Sequence, residues 1–357
     1  MIYLFNSARR DGYKANVHNT FYLPAGCVNT YRYHIGQNIS EEASHALSSM
    51  SRTDVLIVYI DRYAVNGYKF YPLRKGRLCG SEPRDGQVFC DVKLQDYVFI
   101  EDLESFQGYL HKSFDATGLP SARQDIEEPH DGMYVQIGDP LPQSFKFASK
   151  EDAWRKCVTM ISETQAMSSS ASTEHLFLRA TIVKSGKPIS SKGLSPNSSG
   201  KFKFSKGSAY DLILTYLFPV QQVDSGRALS LSISGIAGVV ENPESNSQIV
   251  NKLSDVVKYT LAIKRTAESN VQTIALHPTT MSGTTVQFAD ATIPLVLRSS
   301  WREFVGTVIA LSIISVTGAL LGLKFDELGW REFWARLPIA IINSGALYVV
   351  WRLGRKV

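Results

Sequence analysis

Residues 304–323 read FVGTVIALSIISVTGALLGL, twenty positions without a charge. A helix rising about 1.5 Å per residue would cross a hydrocarbon core of about 30 Å with that run. A buried helix of a globular core is rarely apolar on every side for so long. The sequence therefore predicts a transmembrane helix over 304–323. A second run, residues 337–351, reads LPIAIINSGALYVVW. It reaches a spanning length as 333–351 if Arg336 snorkels towards the headgroups. A re-entrant or interfacial segment is the alternative for this second run.

The flanks suit a two-helix hairpin over 301–357. Trp301 and Trp351 fall at one interface, and Trp330 and Trp334 fall at the other. These are the positions that an aromatic belt occupies. Arg298, Arg302, Arg352, Arg355 and Lys356 flank the outer ends, against Lys324, Arg331 and Arg336 in the connecting loop. This weak positive-inside bias places both termini in the cytoplasm, in agreement with an N-terminus too polar for a secretory signal. The localisation expected is thus the inner cell membrane, crossed twice.

The first span also has a side. Ser312, Ser315, Ala319 and Gly322 recur at helical spacing, and Gly318 with Gly322 makes a G-x-x-x-G. Small residues let helices approach closely, and hydroxyls hydrogen-bond across the contact. Asn343 lies near the middle of the second span, where an amide seeks a polar partner or water. The stripe either packs one hairpin together or joins the hairpins of neighbouring chains into a homo-oligomer.

Everything before about residue 303 reads as water-soluble, which excludes a polytopic transporter. The net charge of +5 is uneven. Residues 1–165 hold 18 Lys and Arg against 21 Asp and Glu, and residues 166–300 hold 13 against 8. That excess is too small to imply nucleic-acid binding by itself. Cys27, Cys79, Cys90 and Cys157 form no C-x-x-C pair and no zinc spacing, so reduced thiols are expected.

The soluble part is predicted to be α+β and β-rich. Residues 1–148 form a first domain, a mixed sheet or small barrel that senses or binds. Its strands are expected at 2–5, 16–23, 30–35, 54–60, 68–73, 87–94 and 133–137, with helices at 40–49 and 101–112. The continuously apolar 55–60 should be a central strand buried on both faces. A helix at 149–164, capped by Ser149, and a Ser-rich linker fill 149–173. Residues 174–300 read as a β-sandwich, compatible with an immunoglobulin-like topology. Strands are expected there at 175–183, 200–204, 210–217, 229–234, 259–265, 273–277 and 284–297, and a helix at 246–257.

Catalytic motifs are not found: there is no G-x-G-x-x-G, H-E-x-x-H or G-x-S-x-G. The segment 193–201, GLSPNSSGK, has the wrong spacing for a phosphate loop and reads as a β–β connection. His18 and His34 on neighbouring strands near Asp61, or Cys27 with His34, are conceivable pairs that no spacing favours. The chain is therefore read as a non-enzyme, with no cofactor or metal implied.

The best ligand candidate is 67–78, GYKFYPLRKGRL, in which Lys69, Arg74, Lys75 and Arg77 alternate with aromatic residues including Tyr71. Arg9 and Arg10 add charge after the first strand. Arginine forks suit phosphates and aromatic faces suit bases, which would fit a nucleotide ligand. A solvated sheet face gives the same alternation, and a protein ligand could use that face too.

A cytosolic β-rich head on a C-terminal two-helix anchor resembles the layout of bacterial membrane effectors in antiviral defence. There, a sensing head controls a small transmembrane module. The resemblance is one of layout and assigns no residue a role. It implies an effector whose head binds a nucleotide or protein and controls an oligomerising, pore-forming or membrane-perturbing hairpin in the bilayer. The alternative is a membrane-tethered adaptor that recruits a partner protein through the sandwich.

Overall fold

The computed structural model describes residues 1–7, 11–64, 67–115, 134–164, 177–188, 193–217, 229–234, 247–250, 254–264, 271–280 and 291–298. The expected hairpin, with Ser312, Ser315, Gly318, Ala319, Gly322 and Asn343, lies outside them, as do Arg9 and Arg10. Among the described residues no helix is long and apolar enough to cross a membrane.

The chain is β-rich, with one curled mixed sheet and two further sheets. The mixed sheet contains β1 (Ile2–Asn6), β2 (Val28–His34), β3 (Asp54–Ala64), β4 (Gly67–Arg84), β5 (Gln87–Tyr97) and β6 (Tyr134–Ile137). Its order is β2-β5-β4-β3-β1-β6. Only β1 and β3 run parallel, pairing Ile2 with Val55 through Asn6 with Tyr59. The joint between β4 and β5 is legible in its residues. Asp85 and Gly86 both take positive φ, 51° and 70°, as a two-residue hairpin turn of primed type requires.

The central strands bury both faces. Ile2, Leu4, Val55, Ile57 and Tyr59 enter one hydrophobic cluster, while Tyr3, Phe5, Leu56, Val58 and Ile60 enter another. The expectation for 55–60 is met on this point. The second cluster is closed by Phe106 and Leu110 of α3 (Leu103–Asp115) and by Phe145. The first receives Val17 and Phe21 of α1 (Asp11–Tyr22), and Trp154, Cys157 and Ile161 of α4 (Lys150–Ser162).

Two helices begin at serine caps, and the Ser149 cap is the one expected from sequence. Ser40 accepts from Ala43 N–H at 3.1 Å to start α2 (Glu41–Ser49). Ser149 accepts from Asp152 N–H at 3.3 Å to start α4. Each hydroxyl satisfies one of the donors that a first helical turn leaves unpaired.

Beyond α4, one sheet has the order β12-β9-β7, from β7 (Phe177–Lys184), β9 (Ala209–Leu217) and β12 (Ser254–Ala262). The other has the order β11-β10-β13-β14-β8, from β8 (Phe202–Ser205), β10 (Leu229–Ser234), β11 (Ser247–Val250), β13 (Val271–Thr280) and β14 (Ala291–Arg298). Phe177, Leu212 and Tyr259 from the first, and Ile233, Ile274 and Leu295 from the second, belong to the same cluster as Ile2 and Leu4. Met1–Phe204 and Ser208–Leu297 accordingly form one compact unit. In a second unit, Lys206 N–H donates to the Arg298 carbonyl at 2.9 Å.

Two elements differ from the sequence expectation. Residues 16–23 were expected as a strand, but 11–22 are helical. Val17 and Phe21 sit one helical turn apart and both enter the core, so packing overrides the aromatic and β-branched content. Residues 246–257 were expected as a helix, but β11 and β12 occupy this stretch. In β12, Val257, Tyr259 and Leu261 are buried at every second position, and all nine residues pair with β9. The period of two prevails.

Candidate ligand cleft

The ligand candidates 67–78 lie on β4, and the structure disperses them. Arg74 is 1% exposed. It faces Ile57 across one strand boundary and Tyr97 across the other. The register shift between Ile57 and Val58 leaves Leu73 without a partner on β3, so β4 does not follow one uninterrupted alternation. Two neighbours, Leu73 and Arg74, are both buried as a result.

Arg74 is anchored to backbone carbonyls. Its Nη1 donates to the carbonyls of Thr20 and Leu23, each at 2.7 Å, and its Nε donates to that of Gln95 at 2.7 Å. Tyr97 adds its hydroxyl, which donates to the Phe21 carbonyl at 2.5 Å. Thr20, Phe21 and Leu23 lie at the C-terminal end of α1, where carbonyls lack helical partners and a cation is favoured. Arg74 is thus a helix-capping cation in the core, not the exposed fork that the sequence suggested.

The other candidates do not join it. Lys69 and Arg77 are exposed, and Arg77 makes a solvent-exposed ion pair with Asp54 at 3.5 Å. Lys75 is half-buried, with its Nζ 4.5 Å from the ring centroid of Phe147. Tyr71 is buried, and burial followed by the charges of Asp61 and Glu163 raises its hydroxyl above the usual range. Its ring lies 6.2 Å from that of Tyr59 and offers no open face for a base.

Arg74 nevertheless borders a cleft of about 280 Å³. One wall is the end of β5, with Gln95, Asp96 and Tyr97, and the turn Pro24–Ala25 after α1. The opposite wall is Arg179 to Ile182 on β7 and the loop 193–195. The two walls meet closely beside it: a Cβ on Gly26, whose φ is +90°, would lie 2.9 Å from Pro196 Cδ. The connection 193–201 is a β–β loop as expected, with Asn197 N–H donating to the Lys201 carbonyl at 2.9 Å.

Two guanidinium groups converge on one ring in this cleft. The Cζ of Arg74 is 4.3 Å from the Tyr97 centroid and that of Arg179 is 5.5 Å away. Burial raises the Tyr97 phenol, while Arg74 and Arg179 pull in the opposite direction. Arg179 and Tyr97 were not singled out from sequence. The available signal was a lone arginine inside an otherwise apolar strand, FLRATIVK.

The histidine and cysteine pairs do not assemble. His18 lies on α1 with its ring 5.6 Å from that of Phe177, whereas His34 ends β2 beside Gln87. Cys27 is buried, and burial pushes its thiol up to about 12 against the influence of Arg74. An activated nucleophile needs the reverse shift. Among the described residues no three His, Cys, Asp or Glu side chains are grouped to hold a metal ion. No model of a known protein family matches this chain, and no curated protein does.

Proposed function

We propose that this chain is a non-enzymatic membrane effector of the inner membrane, with both termini cytoplasmic. Its β-rich head binds a ligand and thereby controls an oligomerising two-helix module over 301–357 that perturbs or permeabilises the bilayer. In this reading the two sheets after α4 form a sandwich that links the sensing sheet to the hairpin. The layout it shares with bacterial antiviral effectors is what supports a role in such defence. The observation that carries the proposal is the uncharged twenty-residue run 304–323 in the same chain as a cleft bearing arginine.

The test is dye and ion leakage in cells expressing the full chain, beside a version ending at Arg298. Leakage that requires the hairpin supports the effector. No leakage under any trigger, with the protein firmly in the membrane, overturns it.

A second reading, a tethered adaptor, draws on β12. This strand is at an edge of its sheet, and Val256 on it is 41% exposed. An edge strand offers its free backbone groups for addition of a partner's strand. Replacing the hairpin with an unrelated anchor would preserve an adaptor's function and abolish an effector's.

A further inference from the structure

We infer that the cleft between β5 and β7 binds a compact oxyanion, a phosphate or carboxylate group, with Arg179 as its charged anchor. The inference deepens the ligand-controlled reading above and rests on it for its biological role.

The two arginines of the cleft are not equivalent. Arg74 is held by three backbone carbonyls through its Nε and Nη1, so its charge has a fixed and dipolar environment. Arg179 is half-buried, yet its guanidinium has no hydrogen bond or ion pair among the described residues. Among the described residues it lies against the Tyr97 ring. A partly desolvated cation beside a second cation is an unfavourable arrangement until an anion enters. The guanidinium fork matches carboxylate and phosphate oxygens in two parallel hydrogen bonds.

The rest of the cleft fits that ligand. Asp96 is the one carboxylate among its lining residues; it is exposed and already has an interaction of its own. Gln95, Thr181 and Ser195 line the walls with side chains able to donate. A volume of about 280 Å³ admits a small molecule or a single charged head, not a nucleic-acid strand. The walls belong to two different sheets, so an anion between them would tie β5 to β7.

The experiment is calorimetric titration of the full chain in detergent at low salt, with pyrophosphate and with citrate as probes. One of the two saturates at one site per chain, which identifies phosphate or carboxylate as the preferred group. Arg179→Ala should weaken that binding by roughly tenfold to a hundredfold, the range for a hydrogen bond to a charged group. Arg179→Lys should recover part of it, and Arg77→Ala, on the open surface, should change it by less than about twofold. A wild-type chain that binds neither probe overturns the site, as does an Arg179→Ala chain that stays folded and binds equally well. The two proposals separate cleanly. Anion binding without any effect on hairpin-dependent leakage retains the site and overturns ligand control. Hairpin-dependent leakage with no anion bound overturns the site and retains the membrane module.

Discussion

Arg74 shows how far a residue's type can mislead about its place. Its alternation with aromatics on β4 reads as a solvent-facing fork, but a register shift and the end of α1 turn it into a buried cap. Arg74→Met keeps the bulk and strands three carbonyls. Buried acceptors left unpaired cost about 1–3 kcal/mol each, so stability should fall by at least ~2 kcal/mol. Urea unfolding of the chain ending at Arg298 reads this directly, because Trp154, buried in the core, is then its single tryptophan. The cysteines offer a second check. Cys27, Cys90 and Cys157 are buried and Cys79 is exposed. Burial pushes the thiols of Cys27 and Cys90 from the usual 9.0 to about 12, and that of Cys157 above the usual range. Iodoacetamide at about pH 8 should therefore add once to the folded chain, at Cys79, and four times in denaturant. A second adduct on the folded chain would contradict the packing described for these thiols.

At the scale of elements, one cap and the strongest strands were legible. Ser149 announces α4, and the apolar run 55–60 announces a strand buried on both sides. The errors came where two signals conflicted. Aromatic and β-branched residues in 16–23 suggested a strand, while the spacing of Val17 and Phe21 belonged to a helix. The cleft was illegible for a different reason: Arg74, Tyr97 and Arg179 are far apart in sequence, and no local spacing joins them. Element-scale tests follow from close approaches. Gly200 has φ +72°, and a Cβ there would lie 2.7 Å from the Val28 backbone nitrogen. Gly200→Ala should lower the melting temperature by several degrees, more than Gly86→Ala, whose Cβ would meet nothing within 4 Å. Ser40→Ala should cost about 1 kcal/mol through loss of the α2 cap, measured by the same urea titration.

For the whole molecule, the buried thiols set an alkaline limit. In the unfolded chain they lose protons near pH 9, but Cys27 and Cys90 hold theirs in the fold until about pH 12. The native state then binds more protons than the unfolded one, so stability declines as pH rises above about 9 and is intact below it. A flat unfolding free energy between pH 8 and 11 would contradict this. The proposed membrane module gives the other whole-molecule test. Gly322→Leu should abolish leakage while leaving expression and membrane insertion unchanged, since a bulky side chain separates helices that a G-x-x-x-G lets touch.

The position of β1 also bears on how the chain is made. It precedes both of its neighbours in sequence, yet it lies between β3 and β6. On a ribosome, its strand edges stay unpaired until residues 54–64 emerge, and one edge stays open until 134–137 follow. The β3–β4–β5 meander, by contrast, closes through neighbouring segments and carries little entropic penalty. The nascent chain therefore spends a long interval with Ile2, Tyr3, Leu4 and Phe5 exposed, and this apolar strand is the segment that chaperones would be expected to hold.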